Sequence, residues 1–205
     1  MRRERNRRGE GDLLRAEILI ATARLLEHAG SDEGLSLRAV ARSVGISPQS
    51  MYLHFPGLDD LVFAVLVDSY AQMAGDLDAA AAAEADPVRR VLARGRAYLA
   101  WGDAHPGLYQ VMYEGRVQSV REPEAGVEPP GRRILHAVRD DVAAVMTAGA
   151  VPPGDPEALA LQLWALVHGL VSLRANKPSV PWPDVAALAD DAGRRILGAV
   201  SSPLP

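Results

Sequence analysis

A chain of 205 residues is long enough for one sizeable hydrophobic core, or for one core and a small satellite domain. A hydrophobic fraction of 48% excludes wholesale disorder, and the lack of cysteine excludes both a disulfide framework and a thiolate metal site. The net charge of −4 is unevenly divided: residues 1–57 hold nine arginines against seven acids, with five of those arginines in the first eight positions. Local charge governs contact with phosphate, so the basic end is where nucleic acid would bind. No uninterrupted apolar run approaches the roughly 20 residues of a membrane-spanning helix, and no apolar signal segment follows the arginines directly. The expectation is a soluble, cytoplasmic protein with no membrane partner.

Residues 1–11 are charged and punctuated by glycine, and read as a flexible basic arm or, equally, a solvated tail. Asp12 is placed to cap a first helix, in which Ile18, Ala21, Thr22, Leu25 and Ala29 recur at helical spacing before Gly30 ends it. Ser36 is a second N-cap, followed by Leu37, Val40, Ala41 and Val44, with Gly45 as the stop. Ser47 caps a third, short helix from Pro48 to about Phe55, with proline at the first helical position. Pro56-Gly57 breaks the chain there.

Asp59 and Asp60 then favour the N-terminus of a long helix that runs to the alanines at 79–83. Pro87 opens the next helix, and a short one follows over His105 to Tyr113. A mobile loop is expected over 115–131, and helices over about 132–148, 156–175 and 182–200 complete the chain. Period-2 alternation is almost absent, so strands are not expected. The predicted fold is all-α: a three-helix head over 12–57 with a larger helical bundle over 58–205.

Two short helices joined by a tight glycine turn form a helix-turn-helix, which is compatible with DNA binding or with an ordinary αα-hairpin. The outward residues of the third helix favour DNA. Met51 and Phe55 go to the core and leave Gln49, Ser50, Tyr52, Leu53 and His54, with no acid or lysine between Ile46 and Pro56. Glutamine pairs with adenine edges, serine serves a base or a phosphate, and tyrosine and histidine hold phosphate.

The pattern Ser36-Leu37-Arg38-x-Val40-Ala41, Val44-Gly45-Ile46-Ser47 and Met51-Tyr52-x-His54-Phe55, preceded by Ile18-Leu19, Leu25 and Gly30 and followed by Leu61, resembles the DNA-binding head of the TetR family of regulators. The resemblance implies a helical homodimer that binds a palindromic double-stranded DNA operator and is released by a small-molecule inducer. It places Ser36 and Arg38 at phosphate, Ser47 and Pro48 at the start of the contacting helix, Gln49 and Ser50 at bases, and Tyr52 and His54 on the backbone. Two departures stand out: Leu58 and Pro48 occupy positions where the family often has a basic residue, and the arginine-rich arm is placed to compensate in an adjacent minor groove.

The aromatic residues from position 70 on, namely Tyr70, Tyr98, Trp101, Tyr109, Tyr113, Trp164 and Trp182, either fill a core or line a ligand cavity between helices, and all but Trp182 are candidate ligand contacts. Trp164-x-x-x-His168-Gly169 resembles a signature of one TetR subgroup, which adds His168 to the candidate ligand contacts; a lone histidine on an apolar helix is otherwise a hydrogen-bonded core residue. The wide apolar faces of 156–175 and 182–200 fit burial in the body or pairing of two chains. Alternatives are a DNA-binding regulator with no ligand, and a helical enzyme using the histidines. Against the enzyme, no Gly-x-Ser-x-Gly turn, paired-carboxylate site or HExxH occurs, so no catalytic residue, metal or cofactor is expected.

Overall fold

Caps and helix breakers cut the chain into nine helices among the described residues, which in this computed structural model are 10–115, 129 and 131–198. Residues 1–9 of the expected basic arm and most of the expected loop at 115–131 lie outside them; the arm's last two residues, Glu10 and Gly11, are instead helical, in the first turn of the first helix. No strand occurs among the described residues. The helices fall into two compact units.

The first unit holds α1 (Glu10–Ala29), α2 (Leu37–Val44), α3 (Pro48–Met51), the start of α4 (Leu58–Ala82) and α6 (Pro106–Glu114). Ile18, Leu26, Val40, Met51, Leu61 and Met112 are fully buried and make its core. α1 begins at Glu10, so Asp12 is inside the helix rather than its cap. Its buried face is carried by Leu14, Ile18, Leu19, Thr22 and Leu26, whereas Leu25 is half-buried and Ala29 exposed. The expected stripe was rotated by one residue because small apolar side chains fit either side of it. Buried Thr22 donates its hydroxyl to the Ile18 carbonyl at 2.7 Å, which satisfies the one polar group of that face.

α6 joins this unit through α1. Gly107 is buried where the two helices meet, and a Cβ there would overlap the carbonyl oxygen of Glu27. Both carboxylate oxygens of Glu27 accept backbone N–H groups at the start of α6, from Gly107 and from Leu108, each at 3.0 Å. The first N–H groups of a helix have no partner within it, so a carboxylate from another helix serves as the cap.

The second unit holds the rest of α4, α5 (Pro87–Ala104), α7 (Arg132–Thr147), α8 (Pro156–Asn176) and α9 (Val185–Leu197). α5 packs against α7, α8 and α9 and is buried around most of its circumference. Val91, Leu92, Tyr98 and Leu99 are buried in its contacts with these helices, whereas Arg89 and Asp103 are exposed. Val142, Val145, Leu163 and Leu197 close the core about it. Gly131 precedes α7 with φ +88°, and a Cβ there would stand 2.6 Å from the Tyr70 ring, so glycine is required both for the backbone and for the space.

Two expected boundaries move. The α-helical part of α3 ends at Met51 and the chain continues to Phe55 as a turn. α9 starts at Val185 because Asp184, rather than a residue near 182, accepts from Ala186 and Ala187 at 3.0 Å. α8 is also long and apolar enough, by length and composition alone, to cross a membrane, although the sequence shows no uninterrupted run of that kind. Its buried residues form one stripe (Ala160, Leu163, Val167, Leu170 and Val171), and Leu161 and Leu173 are exposed outside it.

Candidate functional site

The helix-turn-helix is built by its caps. Ser36, in extended conformation, accepts the Ala39 N–H on its hydroxyl at 3.2 Å and starts α2. Val40 and Ala41 are buried on the face turned toward the rest of the head. Gly45 adopts the left-handed conformation, φ 76°, and the Ile46 N–H reaches back to the Ala41 carbonyl at 3.0 Å. This is the helix stop that glycine makes at no steric cost. Ser47 then caps α3, accepting the Ser50 N–H at 3.2 Å, with Pro48 at the first helical position.

α3 is held by Met51 and Phe55, both buried. The N–H groups of His54 and Phe55 bond to the Met51 carbonyl at 2.9 Å, so the chain keeps turning past the end of the α-helix. The Arg15 guanidinium lies 5.0 Å from the centre of the Phe55 ring, a cation–π contact from α1 onto this segment. Sequence reading missed Arg15, because only the tertiary fold brings position 15 to position 55.

The residues expected at DNA divide into two groups. Ser36 and Ser47 serve as caps, and the Ser50 hydroxyl lies 2.9 Å from that of Ser47. Arg38, Gln49, Tyr52 and His54 have no hydrogen-bond or ion-pair partner among the described residues. Tyr52 is 61% exposed, and Leu53 next to it is 84% exposed. Pro48 and Gln49 are exposed as well, so the α3 segment presents polar and apolar groups outward with no internal use for them.

The second unit has a cleft between α5, α7, α8 and α9. It is partly open to solvent and includes Leu92, Tyr98, Val138, Trp164 and Val167 in its walls. Of the aromatic candidates, Tyr98 and Trp164 line this cleft. His168 is not in the lining; its ring tilts against that of Trp164, 5.6 Å between centroids. Tyr70 and Trp101 are buried in the same unit. Tyr109 and Tyr113 belong to the first unit, where their rings lie 4.7 Å apart.

An ion network, buried at Arg94 and Asp141 and exposed at Arg133, adjoins the cleft. The Arg94 guanidinium donates to Asp141 at 2.8 Å and to Asp78 at 2.6 Å, and Arg133 donates to the other Asp78 oxygen at 2.8 Å. Burial raises the pKa of the Asp78 carboxyl, but hydrogen bonds and charge from Arg94 and Arg133 outweigh it and hold the group below its ordinary value. Sequence periodicity gave no signal for these pairs, since Arg94 and Asp141 are 47 positions apart. Among the described residues no group of three histidine or acidic side chains could hold a metal ion.

Residues 18–65 match the model of bacterial regulatory proteins of the tetR family, and residues 91–196 match that of the tetracyclin repressor-like C-terminal domain. The chain belongs to the TetR family. Its described residues are all-α, and the helix-turn-helix lies within the part matched by the N-terminal family model. The HTH-type transcriptional regulator Rv1816 of Mycobacterium tuberculosis is 28% identical over 151 residues, covering 71% of this chain and 62% of that protein. The chain thus spans about three-fifths of the length of the curated relatives it matches. A protein of unknown function from Rhodococcus sp. RHA1 has the same fold, with a TM-score of 0.77 and 27% identity over 90% of this chain and 95% of that one. AibR, solved in complex with isovaleryl coenzyme A and operator DNA, shares the fold at a TM-score of 0.64, with 18% identity over 90% of this chain and 98% of that one.

Proposed function

We propose that this TetR-family chain is a cytoplasmic repressor that binds a palindromic operator as a homodimer and leaves it when a small molecule enters the second unit. The observation that carries the reading is the segment from Ser36 to His54. Arg38, Gln49, Tyr52 and His54 lie on one helix-turn-helix with no partner among the described residues, and that segment holds no acid. Gln49 and Ser50 read base edges, Arg38, Tyr52 and His54 hold phosphate, and Ser36, Ser47 and Pro48 fix the start of each helix against the backbone. The fold partner AibR, whose structure holds both an acyl coenzyme A and operator DNA, supports the pairing of the two activities.

Dimerisation runs through α8 and α9. Leu161 and Leu173 on α8 and Leu188 on α9 are exposed, and a second copy of the chain would cover them. Two heads are needed because one reads a half-site, and half-sites one helical turn (~34–36 Å) apart demand a two-fold pair. The domain division is a head over 12–57, which carries the DNA contacts, and a regulatory and dimerisation part over 58–205. α4 has residues in both compact units, Leu61 in the core of one and Leu77 in the cleft lining of the other, so it is the element through which ligand and DNA are coupled. A coupling of about 1–3 kcal/mol suffices for release.

The test is selection of bound fragments from the source genome by the purified chain, followed by footprinting of the selected site. A protected inverted repeat is expected, and loss of protection on adding a ligand follows from the switch. Protection of a single half-site, or none above random DNA, contradicts the reading.

A further inference from the structure

The cleft between α5, α7, α8 and α9 combines apolar walls with charges that are already neutralised. Arg94 is the one cation among its described lining residues, and Asp190 the one anion. The Arg94 guanidinium is buried and committed on two sides, to Asp141 at 2.8 Å and to Asp78 at 2.6 Å. It has no further partner among the described residues, and both acids already satisfy its charge. Asp190 accepts Arg96 at 2.8 Å. The remaining walls are aliphatic and aromatic, and Gly95 and Gly193 contribute no side chain to them.

An ion entering such a space loses its hydration and gains no opposite charge, because each candidate partner is spoken for. We infer that the cleft takes an uncharged, apolar small molecule, with at most a neutral polar group, and discriminates against carboxylates and ammonium ions of the same size. The inference deepens the ligand-responsive reading above and rests on it. Arg94 is then a wall of the cleft within a cluster of two arginines and two aspartates, Arg133 sharing Asp78 with it, whose charges cancel. Freeing it from one of them would turn the same wall into an anion site.

Three probes with one eight-carbon chain and different head groups test this on the full-length protein: 1-octanol, octanoate and octylammonium, with isovaleryl coenzyme A as a fourth. Binding is read by calorimetry, and release of DNA is read in parallel. 1-Octanol is expected to bind at least about tenfold more tightly than either ion. Asp141→Asn is expected to raise octanoate affinity by about tenfold and leave 1-octanol within about threefold. The comparison of probes on the unmodified chain stands even if that variant does not fold. Octanoate or isovaleryl coenzyme A binding as tightly as 1-octanol, or more tightly, overturns the inference and leaves the ligand-responsive reading in place. Absence of binding by all four, with DNA affinity intact, overturns the inference and leaves the ligand-responsive reading in place.

Discussion

The carboxylate of Glu27, in the last turn of α1, accepts the backbone N–H of Gly107 at 3.0 Å and so caps α6 from another helix. Close approach makes this possible, because residue 107 has no side chain to hold the two backbones apart. Gly107→Ala is expected to destabilise the protein by about 1–3 kcal/mol, since the added methyl meets backbone rather than a movable side chain. Glu27→Ala removes the cap alone and is expected to cost about 1 kcal/mol. Chemical denaturation with unchanged m-value checks both, and a Gly107→Ala variant as stable as the parent would contradict the packing described.

Gly45 isolates a purely conformational effect. A Cβ at this position meets nothing within 4 Å, while φ is 76°. Gly45→Ala is therefore expected to lose about 1 kcal/mol with no steric clash. Urea denaturation of the two proteins measures it, and a neutral or stabilising result would mean that the turn relaxes out of the left-handed region.

Gln49→Ala is expected to lose about 1–3 kcal/mol of binding at one base pair of each half-site and to leave affinity for random DNA unchanged. Fluorescence anisotropy on operator variants reads the difference. Equal losses on operator and random DNA would place Gln49 at phosphate instead.

The caps were legible because they are local. Ser36, Gly45 and Ser47 each act on residues within a few positions, so residue type and spacing were enough to place the helix-turn-helix. The start of α1 was not legible, since Asp12 has the chemistry of a cap and yet α1 begins two residues earlier, at Glu10. The aromatic cluster was legible as a composition and not as a place: Tyr98 and Trp164 line one cleft, whereas Tyr109 and Tyr113 went to the other unit. Contacts between Glu27 and Gly107 span 80 positions, and those between Arg96 and Asp190 span 94; no local pattern encodes them.

Asp78 ties stability to acid pH. Its folded pKa lies below the ordinary 3.8, so its contribution is fully present above that value and lost as pH falls through the folded value beneath it. The side chain is 38% exposed, which limits the effect to about 1 kcal/mol or less. The stability difference between the parent and Asp78→Asn is expected to be constant above about pH 5 and to shrink below pH 3.8, as followed by denaturation across that range. A difference that grows as pH falls would mean that the carboxyl is destabilising in the folded chain.

The central claim is that the exposed side of α2 and α3 enters duplex DNA twice per particle. Its most direct measurement is affinity of the purified chain for the selected fragment as a function of salt, with stoichiometry read from the same titration. The account predicts two chains per fragment and affinity that falls linearly in log–log form as salt rises, with a slope of several units. A monomer whose affinity for every duplex is weak and indifferent to salt would contradict it.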